Sequence, residues 1–332
     1  MHLAIAGSVA ADHLQTFAGK FSDSLVPDQL NKLSVSFLVE DLDIRRGGCA
    51  ANIAFALGRL GHSALLVAAV GRDFAEQGYQ AWLEDNGVDC SRVHVSPVLH
   101  TALCTITTDE AHAQIVTFYP GAMSEARQID IGALHAERPI DLLLVGPDDP
   151  QGMQQHTATA RKLGIPFAAD PSQQLAWAGG DLIRDLIEGA TYLFTNDYEA
   201  ALIEQKTGWS ADEVRAAVGT QVITRGKDGV TVYPQGADPI EVRAIDGIVA
   251  VDPTGVGDSF RAGFLAGVAA DLGLERAAQI GCTIAASVVE TTGTQEYVLD
   301  REHFLKRLGS AYGEAAQTEV AGALTLSSVA AS

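Results

Sequence analysis

Short apolar runs that end in Gly, Asp or Asn punctuate this chain. The first is His2–Gly7, and "ALLVAAVG", "DLLLVG", "IPFAAD", "TYLFTND" and "QVITRG" follow it. Runs of this length closed by turn formers predict buried strands that stop at a loop. Helical spacing takes over between several of them, as in Gln151–Leu163 and Asp181–Gly189. Ala50–Leu60 has the same spacing, with Gly61 as its stop. Repeated strand–helix alternation predicts an α/β fold, a mostly parallel sheet with helices on both faces.

Two stretches break the rhythm, about 12–45 and 97–120, where strand-like text has no helices between. "ALCTITT" and "AQIVTFY" predict a hairpin. Leu33, Val35, Phe37 and Val39 alternate with Ser34, Ser36 and Leu38, the period of a strand half-exposed to solvent or to a partner. The two pieces are expected to form one small β lid inserted into a single body spanning 1–320. Residues 321–332, rich in small side chains, are expected to be a flexible tail.

Composition narrows the class. Of 332 residues 47% are hydrophobic, enough for a large core, and 42 Asp+Glu against 22 Lys+Arg give a net charge of −20. That balance excludes a nucleic-acid binder working through a basic face, and it disfavours anionic membranes. Cys49, Cys90, Cys104 and Cys282 form no C-x-x-C pair, so neither a disulfide framework nor a zinc ribbon is expected. No apolar run reaches the ~18 residues of a membrane span, and no basic stretch precedes the first strand. A cytoplasmic protein is expected.

Ligands of open parallel sheets sit beyond the carboxyl ends of the strands. The polar residues there are Ser8, Asp12, Asp148, Asp149, Asp170, Gln173, Asn196, Glu199 and Thr224. The strongest chemical segment is "VDPTGVGDSFRAGFLAGVAAD", Val251–Asp271. Gly255, Val256 and Gly257 precede Asp258 at the start of a helical stripe, so free N–H groups there form an anion site. A carboxylate among such donors can take the proton of a hydroxyl that attacks a phosphoryl group. The same turn could simply cap a helix. Two commoner phosphate motifs are absent. Phe260 stands where a dinucleotide fingerprint needs its third Gly, and Lys206–Thr207 follows Gln205 rather than the glycine of a P-loop. In "RRGGCAANIAFALGRLG", Gly47 and Gly48 allow close backbone approach and Asn52 offers donor and acceptor, which suits a ligand with vicinal hydroxyls.

The pair of motifs, Gly-Gly-x-x-x-Asn early and D-x-T-G-x-G-D late, resembles the ribokinase (PfkB) family of carbohydrate and nucleoside kinases. "NDYE" matches its N-x-x-E and "TRGKDG" its T-x-G-x-x-G loop. Segments such as "SFLVEDL", "FYPGAMSEAR" and "GTQEY" are similar to the adenosine-kinase branch found in mycobacteria. The resemblance implies a ribokinase-like fold and ATP-dependent phosphorylation of adenosine at its 5′-hydroxyl. It implies Asp258 as base and the N–H groups of Gly255, Val256 and Gly257 as anion hole. Asp12, Gly47, Gly48 and Asn52 would hold ribose, with Ser8 and Gln173 as further contacts. Asn196, Thr224, Gly226 and Gly229 would line the ATP site, and Glu199 would organise Mg²⁺ through water. K⁺ is a further cofactor candidate, with no ligand set legible.

A purine needs an aromatic platform, for which Phe118 is the candidate. The branch carries phenylalanine where this chain has Cys104, a change that removes one face of a stack. Relatives pair lids across a homodimer, so Leu33–Val39 would be an interface and Ser36 would reach the neighbouring site. Two other readings stay open. A sugar kinase of the same family would need polar lid residues in place of Phe118. A catalytically silent nucleoside sensor would not need Asp258 between intact glycines.

Overall fold

The computed structural model describes residues 1–24 and 35–326. The chain opens with β1 (Leu3–Ala6), β2 (Ala10–Phe17), α1 (Phe21–Ser24), β3 (Val39–Gly47) and α2 (Cys49–Arg59). There follow β4 (Leu65–Val67), β5 (Ala69–Val70), α3 (Asp73–Glu76), α4 (Tyr79–Asp85), β6 (His94–Val95), β7 (Ala102–Asp109) and β8 (Gln114–Tyr119). The middle runs through α5 (Ile131–Glu137), β9 (Leu142–Val145), α6 (Pro150–Leu163), β10 (Phe167–Ala169), α7 (Gly180–Ile187) and β11 (Tyr192–Asn196). Next come α8 (Asp197–Thr207), α9 (Ala211–Ala217), β12 (Thr220–Thr224), β13 (Val230–Pro234) and β14 (Ile240–Val242). Four helices close the chain: α10 (Val256–Ala269), α11 (Leu274–Val289), α12 (Arg301–Tyr312) and α13 (Glu314–Ala323).

Eight strands form the main sheet in the order β14-β13-β12-β11-β10-β9-β1-β4, parallel from β12 to β4 and antiparallel at the β14 edge. Side chains alternate between two cores. Leu3, Ile5, Leu142 and Leu144 face one layer with Phe55, Phe194 and Phe264, from α2, β11 and α10. Ala4, Ala6, Leu143 and Val145 face the other, with Phe167, Ile183 and Ile203. Both faces of the sheet are therefore covered, which is why its strands are continuous apolar runs. Each fully buried Leu or Phe contributes roughly 1.5–3 kcal/mol. No helix among the described residues is long and apolar enough to cross a membrane.

A second sheet, β3-β2-β7-β8, joins the two pieces into the lid, and the first of them, expected to be free of helix, carries the single turn α1. The hairpin is β7–β8, paired from Leu103↔Tyr119 to Thr108↔Gln114. One expected strand is corrected. Leu33 and Ser34 lie outside the described residues, residues 35–38 have no strand, and β3 begins at Val39. Phe37 instead packs its ring on Phe17 and Phe21, with centroids 5.0 Å away in both cases. Phe37 stands edge-on to the stacked Phe17–Phe21 pair, and this cluster takes the segment off the ladder that its alternation suggested. Of the expected tail, residues 327–332 lie outside the described residues, and 321–326 are ordered. α13 runs to Ala323, Leu324 and Leu326 are buried, and Arg301 donates to the carbonyls of Ala321 and Leu324.

Candidate active site

The site forms where the lid crosses the carboxyl ends of β1, β9, β10 and β11. α10 starts there from Gly255, whose φ of +73° suits glycine. No acceptor among the described residues faces the N–H groups of Gly255, Gly257 and Asp258, while Val256 donates to Pro253 O at 3.4 Å. These donors are half-exposed at the positive end of a fourteen-residue helix, a ready place for an anion.

Asp258 lies in the first turn of that helix. Its carboxylate accepts from Asn52 Nδ2 at 2.8 Å, and the Cys49 thiol lies close by. Burial raises its pKa, and the Asn52 amide and the nearby Arg261 guanidinium pull it back. Asn52 is itself fixed, since its Oδ1 accepts from Gln295 Nε2 at 2.9 Å, and Gln295 also bonds the Tyr79 hydroxyl. The residue expected to bind ribose therefore also holds the Asp258 carboxylate in place.

Beneath the anion hole Arg261 makes a buried ion pair with Asp170, 2.5 Å from Nε, and stands 3.9 Å from Glu199. Its Nη1 would lie 2.9 Å from a Cβ on Gly257. Burial pushes the Asp170 carboxyl up to about 6 against the pull of Arg261. Sequence reasoning noted Asp170 as a strand-end acid and missed this role for Arg261. The available signal was an arginine inside the apolar stripe of α10, between Phe260 and Phe264.

Asp12 comes from the lid. Its carboxylate has no hydrogen-bonding partner among the described residues and sits where a Cβ on Gly47 would be, 2.4 Å away. Burial, and then the charge of Glu296, push its pKa up to about 6. Across the ladder Asp12 pairs with Cys104, and Cys104 pairs with Phe118. The three side chains therefore line up on one lid face, with Phe118 51% exposed. Leu14, Ile106 and Val116 continue that face one step on.

Other expected residues fall nearby with mixed duties. Ser8 Oγ accepts from Cys49 N, so it caps α2, and Gln173 Oε1 accepts from the Cys49 thiol at 3.8 Å. Gly48 must be glycine, because its φ is +94° and a Cβ would stand 2.6 Å from Ala10 N and Ser8 O. Asn196 and Glu199 form a reciprocal capping box at the start of α8. Thr224 ends β12, and Gly226 and Gly229 lie in the tight turn that leads into the antiparallel β13. Ser36 is exposed, in the segment before β3. Among the described residues no group of three or more His, Cys, Asp or Glu side chains is placed to ligate a metal.

The sequence pattern of the pfkB family carbohydrate kinases matches residues 18–301. A nucleoside kinase of Methanothermobacter thermautotrophicus is 30% identical over 289 residues, 86% of this chain and 92% of that protein. The nucleoside kinase of Methanocaldococcus jannaschii is 28% identical over 262 residues, 79% of this chain and 85% of that protein. Among solved structures, the Burkholderia thailandensis nucleoside kinase in complex with inosine is 36% identical. It superposes with a TM-score of 0.79, covering 94% of this chain and 98% of that one. The architecture described above is ribokinase-like.

Proposed function

Because the chain belongs to the pfkB family of carbohydrate kinases, we propose that it transfers the γ-phosphoryl group of ATP to the 5′-hydroxyl of adenosine. The observation that carries this reading is a pair of features: Asp258 held by Asn52 among open N–H groups, and Asp12, Cys104 and Phe118 in one row on a single lid face. Asp12 with both oxygens unclaimed suits two vicinal ribose hydroxyls, and an apolar lid face with an exposed phenyl ring suits a base.

In the mechanism, Asp258 accepts the proton of the attacking hydroxyl while the N–H groups of Gly255–Asp258 hold the transferring phosphoryl oxygens. Gly48 and Asn52 fix the sugar, Ser8 and Gln173 border it, and Asn196, Thr224, Gly226 and Gly229 border ATP. Glu199 offers one carboxylate edge next to Arg261, a donor set that fits an ion keeping most of its water, and such Mg²⁺ would neutralise phosphate charge. We place the reaction in the cytoplasm, where ATP is supplied. A homodimer through the lids is part of the proposal. Leu42, Ile44 and Ile115 are exposed on the lid face opposite Asp12 and give it an apolar surface, while Ser36 would reach the neighbouring site.

A panel of adenosine, inosine, guanosine, ribose and fructose, with ATP and GTP as donors, tests the reading. Adenosine with ATP should give the highest kcat/KM. Inosine is its strongest competitor, since the Burkholderia kinase was solved with it. Ribose or fructose ahead of every nucleoside would overturn the assignment. Asp258→Asn should lower kcat by roughly 10²–10⁴-fold, the usual contribution of a positioned base. An Asn variant with parental kcat removes Asp258 from that role.

A further inference from the structure

Arg45 stands on β3 directly opposite Asp12 in the lid ladder, so both side chains leave the same face. Its Nε and Nη2 are held by Asp43 at 2.7 and 2.5 Å. Nη1 is buried and meets no hydrogen-bond acceptor among the described residues. That arm fills a slot at Gly293, 2.7 Å from where a Cβ would stand, and the φ of +94° there also calls for glycine. The next residue, Thr294, packs on Gly255, its Cβ 3.0 Å from a Cβ on that glycine. One residue of this loop therefore separates the unclaimed guanidinium arm from the anion hole. Two acids share the neighbourhood. Asp252 spends its oxygens on the N–H groups of Thr254 and Gly293, and Glu296, at the same slot, accepts from Gln295 N.

We propose that Arg45 is a catalytic residue of the phosphoryl transfer, its Nη1 donating to the γ-phosphoryl group. This rests on the site assignment above. A loose transition state spreads negative charge over three equatorial oxygens, and a preorganised cation beside them is among the strongest aids to the reaction. Arg261 spends Nε and Nη2 on its buried pair with Asp170, with Glu199 3.9 Å away, whereas Asp43 leaves the Nη1 arm of Arg45 without an acceptor. The bond from γ-phosphorus to the bridging oxygen of ADP breaks and the bond to the acceptor oxygen forms. The hydroxyl proton passes to Asp258, and Arg45 keeps its own protons throughout. Because Arg45 and Asp12 are ladder partners, the strand pair that grips the acceptor also delivers the cation. ATP without an acceptor is thereby spared from water.

Arg45→Met, Arg45→Ala and Arg45→Lys test the role through steady-state kinetics and direct titration of nucleoside binding. The Met and Ala variants should lose about 100-fold or more in kcat, with nucleoside Kd within about threefold of the parent. Guanidinium at tens of millimolar should restore kcat of the Ala variant several-fold, and Lys should recover part as a point charge. A kcat within about threefold of the parent, or a loss confined to nucleoside Kd, overturns the proposal. Were the parent to prefer a sugar, the same variants assayed with that sugar would still decide Arg45, so the two assignments fail separately.

Discussion

Asp12 shows how one side chain sets a pH limit. Burial and Glu296 hold its pKa at about 6, above the usual carboxylate value of 3.8. Gripping two hydroxyls by acceptance alone requires the ionised form, since a protonated carboxyl turns one acceptor into a donor. Nucleoside Kd, measured without ATP and in an Asp258→Asn background so that Asp258 does not titrate, should be flat above pH 7 and weaken as pH falls through 6. The limiting slope is about tenfold per pH unit. Glu296→Gln should move that midpoint down, because it removes a like charge. Asp12→Asn should abolish the pH dependence and weaken binding by about 10–100-fold, the value of hydrogen bonds to a charged group. A pH-independent Kd in the parent would disconnect Asp12 from the acceptor. Asp12 and Asp258 were legible as candidates because each follows a run of apolar or glycine residues, and the roles proposed for them rest on the resemblance to the family. Asn52 was legible as a polar residue and not as the brace of Asp258, since its partner Gln295 is 243 residues away.

At the scale of elements, the proposed anion hole is only as well placed as α10, and α10 is set by its contact with α11. The two helices meet through glycines: a Cβ on Gly263 would stand 2.7 Å from Gly281 Cα and 2.8 Å from Gly281 N. Backbone cannot yield as a flexible side chain does, so Gly263→Ala forces the helices apart and tilts the N-terminus that carries Asp258. We expect a loss of about 1–3 kcal/mol in stability together with a higher KM for ATP. Gly273→Ala is the control, since nothing lies within 4 Å of its Cβ and its φ is −59°; chemical denaturation should find it within about 0.5 kcal/mol of the parent. Stability of Gly263→Ala equal to the control would show that the contact has slack. The α/β alternation foretold α2, α6, α7 and the parallel strands, because buried strands and amphipathic helices carry local periodicity. It missed β13 and β14, the antiparallel edge, and it took residues 35–38 for a strand. There Phe37 obeys a tertiary ring cluster that no local period encodes.

For the whole molecule, a net charge of −20 must coexist with an anionic donor. The structure places this conflict at two distances. In the proposed site the phosphates meet backbone N–H groups of α10, whose field cannot titrate and is fixed by the fold. Arg261 is there too, already balanced by Asp170 and Glu199. Far from them, the exposed acids of α7 and α9, such as Asp181 and Asp212, pair with their own arginines. At a Debye length of ~8 Å they are screened from the site. ATP affinity should then respond weakly to salt, unlike binding to a basic patch, where releasing counterions from six to ten contacts costs about 10³–10⁵-fold over a modest salt range. The measurement is KM for ATP at saturating nucleoside and fixed free Mg²⁺, from low to high choline chloride, a salt that keeps any response to K⁺ out of the comparison. A change of no more than about threefold is expected, one phosphate-facing arginine included. A rise of an order of magnitude would mean that distributed surface charge, rather than the helix end and the lid, sets the donor's affinity, and the anion hole at Gly255–Asp258 would lose its place as the principal phosphate contact.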